Sequence, residues 1–405
     1  MTARGRGDSR VDRCSARFGP PPVALYNRPK IRAVFYQLVL LAAVLWFGYE
    51  FALNAKANLD AQKITSGFGF LENAAGFGIS QSLIPYNESD TYGRVFLVGL
   101  LNTLLAAGIG IVLATILGFL IGIARLSPNW LVARLAGGYV ELIRNLPLLF
   151  QILFWYLAVL GTLPGPRQSL SLFGEIFVNN RGIIVPAPVA GEGAEWIFVT
   201  FAAGVVAAIV FRLWAKRRRV RTGREFPVLW INLGLIVALP LAVLVATGGP
   251  IGFAKPELRG FNFVGGIRLL PEFVALLLAL TTYTAAFIAE IVRAGVLAIP
   301  RGQTEAALAL GLRRGLTLRL IVVPQALRVI VPPLTNQYLN LTKNSSLAVA
   351  VGYPDLFAVF AGTTLHQTGQ AIEIIAITMA VYLTISLLTS GLMNWYNAHV
   401  RIAER

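Results

Sequence analysis

The sequence predicts an all-α fold, a polytopic bundle of about eight membrane-spanning helices. Of its 405 residues, 56% are hydrophobic and only 13% are charged, whereas soluble domains carry roughly a quarter charged residues. Several uncharged stretches reach the roughly 20 apolar residues that a spanning helix needs. Too few polar residues remain to cover a soluble domain of any size.

Four of the eight predicted spans carry no charge, three carry charge only near an end, and one is interrupted. The uncharged spans are 95–124, 145–166, 228–254 and 374–398, and the next three are 33–53, 194–214 and 272–293. The interrupted span falls within 325–361, where Pro332, Pro333 and the polar residues 343–346 predict a broken helix. Such a break is tolerated only inside protein or beside a water-filled cavity.

The basic residues predict the topology. A net charge of +16 could indicate a nucleic-acid partner, but the basic residues lie between apolar runs, as expected of cytoplasmic loops. Eight spans keep both termini, residues 125–138 and the tract 216–224 inside, whereas seven or nine spans would export a basic tract. The first run, 33–53, is expected to be a retained anchor rather than a cleaved signal peptide.

The sequence offers little for catalysis or cofactor binding. One cysteine and two histidines make a Cys/His metal site or a histidine-based nucleophile improbable. The chain also contains no Gly-Lys dipeptide, and hence no Walker A loop for a nucleotide. We therefore do not expect an enzyme, and we expect no catalytic residue, metal or directly bound cofactor.

Residues 305–324 form a basic, alanine-rich segment between two apolar runs, on the predicted cytoplasmic side. Pro300 and Gly302 should end the preceding helix. A short helix should start near Thr304, turn at Gly311 and be followed by a second short segment up to Pro324. From the residues alone, a docking surface with little side-chain bulk and an ordinary basic loop are equally open.

The spacing of this segment resembles the EAA loop of ABC importer permease subunits. The matching residues are Glu305, Ala306, Ala307, Gly311, Ile321 and Pro324, with Val323 in place of the usual leucine. The resemblance implies an ABC importer type of helical bundle, with these residues docking a separate ATPase subunit that uses ATP. Without it, a stand-alone channel or secondary carrier for amino acids remains the alternative.

Four further segments resemble permeases of the polar-amino-acid subfamily, namely 99–104, 139–156, 282–307 and 339–357. The long form resembles the permeases of general or acidic-and-amide L-amino acid uptake. The resemblance divides the chain into a basic arm (1–32), an extra span and loop (33–94), two parts of a permease core (95–163 and 272–393), an insertion with two extra spans (164–271) and a cytoplasmic tail (394–405). It implies a bacterial inner-membrane protein whose partners are an ABC ATPase, a second permease (a heterodimer), a periplasmic amino acid binding protein and membrane lipid, but no nucleic acid.

Polar and ionisable residues inside spans are candidates for a substrate pathway, because burying an unpaired charge is unfavourable. Each has a structural alternative: a membrane exit at 343–346, a structural ion pair between Glu290 and Arg293, and positive-inside anchoring for Arg144. The full set is Asn340, Lys343, Asn344, Ser345, Ser346, Glu290, Arg293 and Arg144.

Overall fold

The computed structural model describes residues 29–61, 67–191, 195–223, 226–246 and 251–400, and the chain divides into two units, residues 1–67 and 68–405. Most of the predicted basic arm, residues 1–28, lies outside the described residues. So do residues 401–405 of the predicted tail.

The described part of the chain is mainly helical. Its α-helices are α1 (Pro29–Ala61), α2 (Tyr92–Ala124), α3 (Trp130–Asn145), α4 (Leu148–Leu153), α5 (Glu195–Thr222), α6 (Val228–Leu233), α7 (Leu239–Ala246), α8 (Pro271–Leu297), α9 (Arg301–Ala309), α10 (Arg314–Thr317), α11 (Val323–Asn344), α12 (Leu365–Thr368) and α13 (Ala371–Val400). Wider π-helical turns occupy Phe154–Leu160, Gly234–Ala238, Leu318–Val322 and Phe357–Thr364, and 3-10 turns occupy Phe68–Glu72, Pro166–Gln168 and Ser345–Val351.

A helical membrane bundle is confirmed, but a count of eight spans stays a prediction. Within the described residues, six helices are long and apolar enough to cross a membrane, and a bent pair would make seven. The apolar helix Trp230–Ala246 is shorter than a usual span, because residues from 251 onward already form a strand. The predicted span 228–254 is therefore too long at its C-terminal end.

The structure also differs from the prediction of one span over residues 145–166. The helices Trp130–Asn145 and Leu148–Leu160 meet at a bend of 108°. Leu146 has extended backbone angles there, because the ring of Pro147 disfavours a helical conformation in the residue before it. The apolar segment after the bend is therefore a short helix with one side packed against the bundle, preceded by an amphipathic helix.

The prediction that Pro332 and Pro333 break a span is wrong. Both lie inside α11, and one apolar helix runs from Arg314 to Val351. Proline removes an N–H donor, but its backbone angle suits a helix, and neighbouring helices can hold such a segment in place. The regular α-helix ends at Asn344, within the polar residues 343–346, and a 3-10 turn continues it up to Gly352, whose φ of +77° is left-handed.

The core of the second unit is built around α8. This helix packs against α2, α3, α4 and α11, and its buried side chains share one cluster with Ile152, Ile330 and Leu341. Its contact with α2 is closest at Gly118, where an added Cβ would lie 2.6 Å from the Cβ of Ile288. Small residues allow this approach between helix backbones.

A β-structure that the sequence analysis did not predict fills the insertion between α4 and α8. Its strands are β1 (Leu170–Leu172), β2 (Ile176–Asn179), β3 (Gly182–Val185), β4 (Ala187–Ala190), β5 (Ile251–Ala254), β6 (Glu257–Arg259), β7 (Asn262–Val264) and β8 (Ile267–Leu269). An antiparallel sheet has the order β1-β2-β3-β8, β6 pairs with β7, and β4 pairs with β5. We call the four-stranded sheet and the β6–β7 hairpin the β-platform. The β4–β5 ribbon stands at the base of the helical hairpin α5–α7.

Candidate coupling segment and translocation pathway

The segment that follows α8 forms a short helix and a tight turn, as predicted, although α9 begins at Arg301 rather than near Thr304. The chain turns at Gly311, whose φ is +80°, a left-handed conformation that glycine adopts without a steric penalty. The Gly311 N–H donates to the Leu308 carbonyl at 2.9 Å, and the Leu312 N–H donates to the Ala307 carbonyl at 3.1 Å. These bonds satisfy the last carbonyls of α9, as in a glycine-terminated helix.

One side of α9 is turned outward from the bundle. Glu305 and Ala306 are exposed, whereas Ala307 is buried. Leu308 is 42% exposed and Leu310 82% exposed. The segment thus presents leucine side chains beside alanines of little bulk, which a complementary groove could approach closely.

Beyond Gly311 the chain does not form a separate segment ending at Pro324. Instead, one helix continues from α10 into α11, and Pro324 lies exposed in the first turn of α11. The wider turn at Leu318–Val322 precedes it, because a proline ring does not fit a regular α-helical turn. Ile321 is half-buried in this wider turn.

Glu290 lies in a cluster of charges at the end of α8 that leads to α9. Its carboxylate forms an ion pair with Arg125, which caps the C-terminus of α2, and a second with Arg293 at 2.7 Å. Arg144 of α3 lies nearby, with its guanidinium 5.1 Å from the ring centroid of Phe287. The i, i+3 spacing in the sequence indicates the Glu290–Arg293 pair, whereas Arg125 carries no local signal that it would meet Glu290 and is expected from the sequence only as part of the inside loop 125–138.

The polar residues 340–346 lie at the other end of the bundle, in the last turn of α11 and the turn that follows. Lys343 and Asn340 are exposed, whereas Ser345 is fully buried. The Ser345 hydroxyl donates to the Thr342 carbonyl and the Ser346 hydroxyl to the Lys343 carbonyl, both at 2.8 Å. The serines thus satisfy the end of the helix, and the ammonium group of Lys343 stays accessible.

The structure separates the predicted pathway residues into two groups. Leu341 packs near Leu277 of α8, and Glu290 lies thirteen residues further along the same helix. At 1.5 Å per residue, this is about 20 Å along the helix axis. One amino acid therefore cannot contact Lys343 and Glu290 at once.

A buried hydrogen-bond cluster joins α2 to the turn after α11. The side-chain amide of Asn102 donates to the Pro354 carbonyl at 2.8 Å, and the backbone carbonyl of Asn102 accepts from the Tyr353 hydroxyl at 3.1 Å. The Leu356 N–H donates to the Thr103 hydroxyl at 3.0 Å. Asn and Thr side chains inside a membrane helix commonly make such bonds, and here they fix the turn rather than line a pathway.

Asp355 lies fully buried in the same turn, outside the spanning helices. Its carboxylate accepts from the Ala358 N–H at 2.8 Å. Burial raises the pKa of Asp355 to about 6, although this hydrogen bond partly offsets the effect. A carboxyl group with this pKa changes its charge within the range of ordinary assays.

Residues 110–402 match the profile of a family described as "binding-protein-dependent transport system inner membrane component". The chain is 52% identical over 387 residues to the putative amino-acid ABC transporter permease protein YhdX of Escherichia coli (strain K12), covering 94% of this chain and 97% of that protein. It is 51% identical over 382 residues to the general L-amino acid transport system permease protein AapQ of Rhizobium johnstonii, covering 94% and 95%.

A third relative is the glutamate/glutamine/aspartate/asparagine transport system permease protein BztB of Rhodobacter capsulatus, 43% identical over 411 residues that cover 93% of this chain and 95% of that protein. The likeness to these relatives runs along almost the whole chain, including the insertion that carries the β-platform. The chain therefore belongs to the family of binding-protein-dependent inner membrane transport components, as a permease subunit of an ABC importer of the amino-acid group.

Proposed function

We propose that this permease moves polar L-amino acids across the bacterial inner membrane, driven by ATP hydrolysis in a separate subunit. The substrates named for two relatives, general L-amino acids and the acidic amino acids with their amides, support this substrate class. The permease itself binds no cofactor under this proposal, because ATP is bound and hydrolysed by its partner.

The exposed turn at the end of α8 is the observation that carries the coupling proposal. Glu305, Ala306 and Gly311 form a compact exposed surface around the buried Ala307, and residues 298–300 join this surface to the central helix of the bundle. Ile321 and Pro324 lie at the start of the next long helix. An ATPase subunit that moved this surface would therefore act on α8 and α11 together.

For the substrate pathway, we propose that the ammonium group of Lys343 meets the carboxylate of the amino acid, near Asn340, Asn344, Ser345 and Ser346. Its exposure and its place at a helix end support this role. Glu290 and Arg293 are better explained as a structural ion cluster, because Arg125 also neutralises the carboxylate. Arg144, stacked on α8, would stabilise the same end of the bundle.

We further propose that both termini lie in the cytoplasm and that the partners are an ABC ATPase, a second and different permease, a periplasmic amino acid binding protein and membrane lipid. The basic residues 216–224 and the end of α8 that leads to α9 would then share the cytoplasmic side. Large apolar side chains exposed on α13, such as Leu383 and Leu387, would contact lipid or the second permease.

Two substitutions test the coupling proposal, Glu305→Lys and Gly311→Asp. Each should abolish uptake of a labelled amino acid and copurification of the ATPase, while the permease stays in the membrane at its usual level. Gly223→Asp is the matched control, because Gly223 also has a positive φ, +67°, and open space around it, at the end of α5. The control should transport normally. Normal uptake by both test variants would mean that residues 305–324 are only a loop.

A stand-alone channel or secondary carrier remains the competing function. It predicts that the purified permease, reconstituted without any ATPase, takes up amino acid along an ion gradient. The proposal made here predicts uptake only when the ATPase, the binding protein and ATP are present. Gradient-driven uptake by the permease alone would replace the proposed function.

A further inference from the structure

The β-platform stands at the end of the bundle opposite residues 305–324, which we call the coupling segment. Strand β8 leads through Leu270 directly into Pro271, the first residue of α8, and α9 follows the other end of that helix. The 27 residues of α8 span about 40 Å at 1.5 Å per residue. If the coupling segment faces the cytoplasm, the β-platform faces the periplasm.

The β-platform carries a small basic cleft between the sheet and the β6–β7 hairpin. The cleft has a volume of about 40 Å³ and is lined by Asn179, Arg181, Ile184, Asn262, Phe263 and Arg268, among others. Ile184 and Arg268 are directly opposite each other on β3 and β8, so their side chains share one face of the sheet.

The arginines of the cleft are held in place by neutral groups. The guanidinium of Arg181 donates to the side chain of Asn262 and, at 3.4 Å, to the Phe261 carbonyl. Its backbone N–H donates at 2.8 Å to the side chain of Asn179, which is fully buried. Arg167 stacks over the ring of Phe261 at 4.2 Å. These contacts orient positive charge without neutralising it.

The carboxylates of the β-platform pair elsewhere. Glu175 pairs with Lys255 at 2.6 Å, and Glu257 pairs with Arg259 at 3.1 Å. Within the described residues, no carboxylate pairs with Arg167, Arg181 or Arg268. The β-platform and the adjoining Arg167 therefore present three arginines whose charge is available to a partner, and Arg181 and Arg167 are oriented by neutral groups.

We propose that this cleft receives acidic side chains of the periplasmic binding protein when it docks on the permease. The inference rests on the proposed function, which supplies that partner. An arginine fork matches the geometry of a carboxylate, and a charged patch steers association between proteins. A site that encloses a small molecule usually has about 300 to 1,000 Å³, so a shallow cleft of about 40 Å³ fits a protruding side chain better than a free amino acid.

Docking here would act directly on the transport core. The neighbouring strands β3 and β8 approach so closely that a Cβ on Gly182 would lie 2.0 Å from the Leu269 carbonyl oxygen, and β8 continues into α8. A partner bound at Arg268 is thus only a few residues from the central helix. The insertion would sense the loaded binding protein at the end of α8 opposite the ATPase.

The test uses the complete permease–ATPase complex in nanodiscs, with ATPase activity measured as the concentration of loaded binding protein is raised. The double variant Arg181→Ala/Arg268→Ala should raise the concentration for half-maximal stimulation about tenfold, with the basal and maximal rates unchanged. Arg259→Ala is the matched control, because it removes an exposed arginine of the β-platform that already has a carboxylate partner; its shift should stay below about twofold. Raising the salt concentration should weaken docking in the wild type and much less in the double variant.

Each outcome has a separate meaning. If the binding protein does not stimulate the wild-type complex, the proposed function itself fails. If it stimulates the wild type and the double variant at the same concentration, the cleft is not a docking contact and only this inference fails. Loss of direct binding of free amino acid to the complex, in the double variant and without binding protein, would make the cleft a substrate site and would also overturn the inference.

Discussion

Replacing Gly118 by alanine tests a close contact of the bundle, that between α2 and α8. The added methyl carbon would lie 2.6 Å from the Cβ and Cγ2 of Ile288 and 3.0 Å from the Ala285 carbonyl oxygen. Ile288 is fully buried, so its side chain has no free space into which it could move. The two helices would have to separate.

Two opposing effects set the magnitude. Overpacking a well-packed core costs roughly 1 to 3 kcal/mol, whereas alanine is favoured over glycine in a helix by about 1 kcal/mol. We therefore expect Gly118→Ala to lower the free energy of unfolding by up to about 2 kcal/mol, a factor of up to roughly 30 in the unfolding equilibrium. Gly108→Ala is the matched control on the same helix, because no atom lies within 4 Å of its added methyl carbon. This control should be neutral or stabilising.

Reversible unfolding in mixed micelles with increasing sodium dodecyl sulfate, followed by tryptophan fluorescence, gives the two free energies under identical conditions. Because both substitutions share the gain in helix preference, Gly118→Ala should be less stable than Gly108→Ala by about 1 to 3 kcal/mol. If Gly118→Ala is as stable as Gly108→Ala, the contact between α2 and α8 is not tightly packed at Gly118. The argument from close approach would then be refuted.

Three further predictions concern charged residues. Lys343→Ala should reduce amino acid uptake about ten- to a hundredfold at an unchanged protein level, and Lys343→Arg should recover part of the uptake. Normal uptake by the alanine variant would place the substrate site elsewhere. Glu290→Gln should lower the free energy of unfolding by about 1 to 3 kcal/mol, because Arg125 and Arg293 lose their shared carboxylate. Adding Arg125→Gln should restore part of the lost stability in the same unfolding assay. An unchanged stability of Glu290→Gln would mean that water already screens the charges of the cluster. The raised pKa of Asp355, about 6, means that burial disfavours its ionised form, so its contribution to stability is present below pH 4 and is lost as the pH rises through 6. The melting temperature of Asp355→Asn, measured from pH 4 to 7, should lack this loss. Parallel pH profiles for the wild type and Asp355→Asn would contradict the raised pKa of Asp355.

Local features of the sequence predicted the parts of the fold that depend on neighbouring residues. Apolar length identified the helices that span or nearly span a membrane, because a buried backbone must form its own hydrogen bonds. The turn at Gly311 could be predicted as well, because glycine lacks the side chain that would strain a left-handed backbone. The same kind of reasoning failed at Pro332 and Pro333, where a proline signal was read without the neighbouring helices that support α11.

Contacts between distant residues could not be predicted from local patterns. Arg125 and Glu290 are 165 positions apart, and only the packing of α2 on α8 brings them together. The β-platform forms from short strands on both sides of an inserted helical hairpin, and pairings over such a distance leave little signal in any one segment. The distance of about 20 Å between the levels of Lys343 and Glu290 likewise follows from how α11 lies along α8. The sequence by itself thus determined the membrane helices, the family and the short helix that turns at Gly311, because these depend on local apolar length and spacing. The tertiary structure alone decided which charges meet and which candidate residues can share one substrate, because those choices depend on how the helices pack.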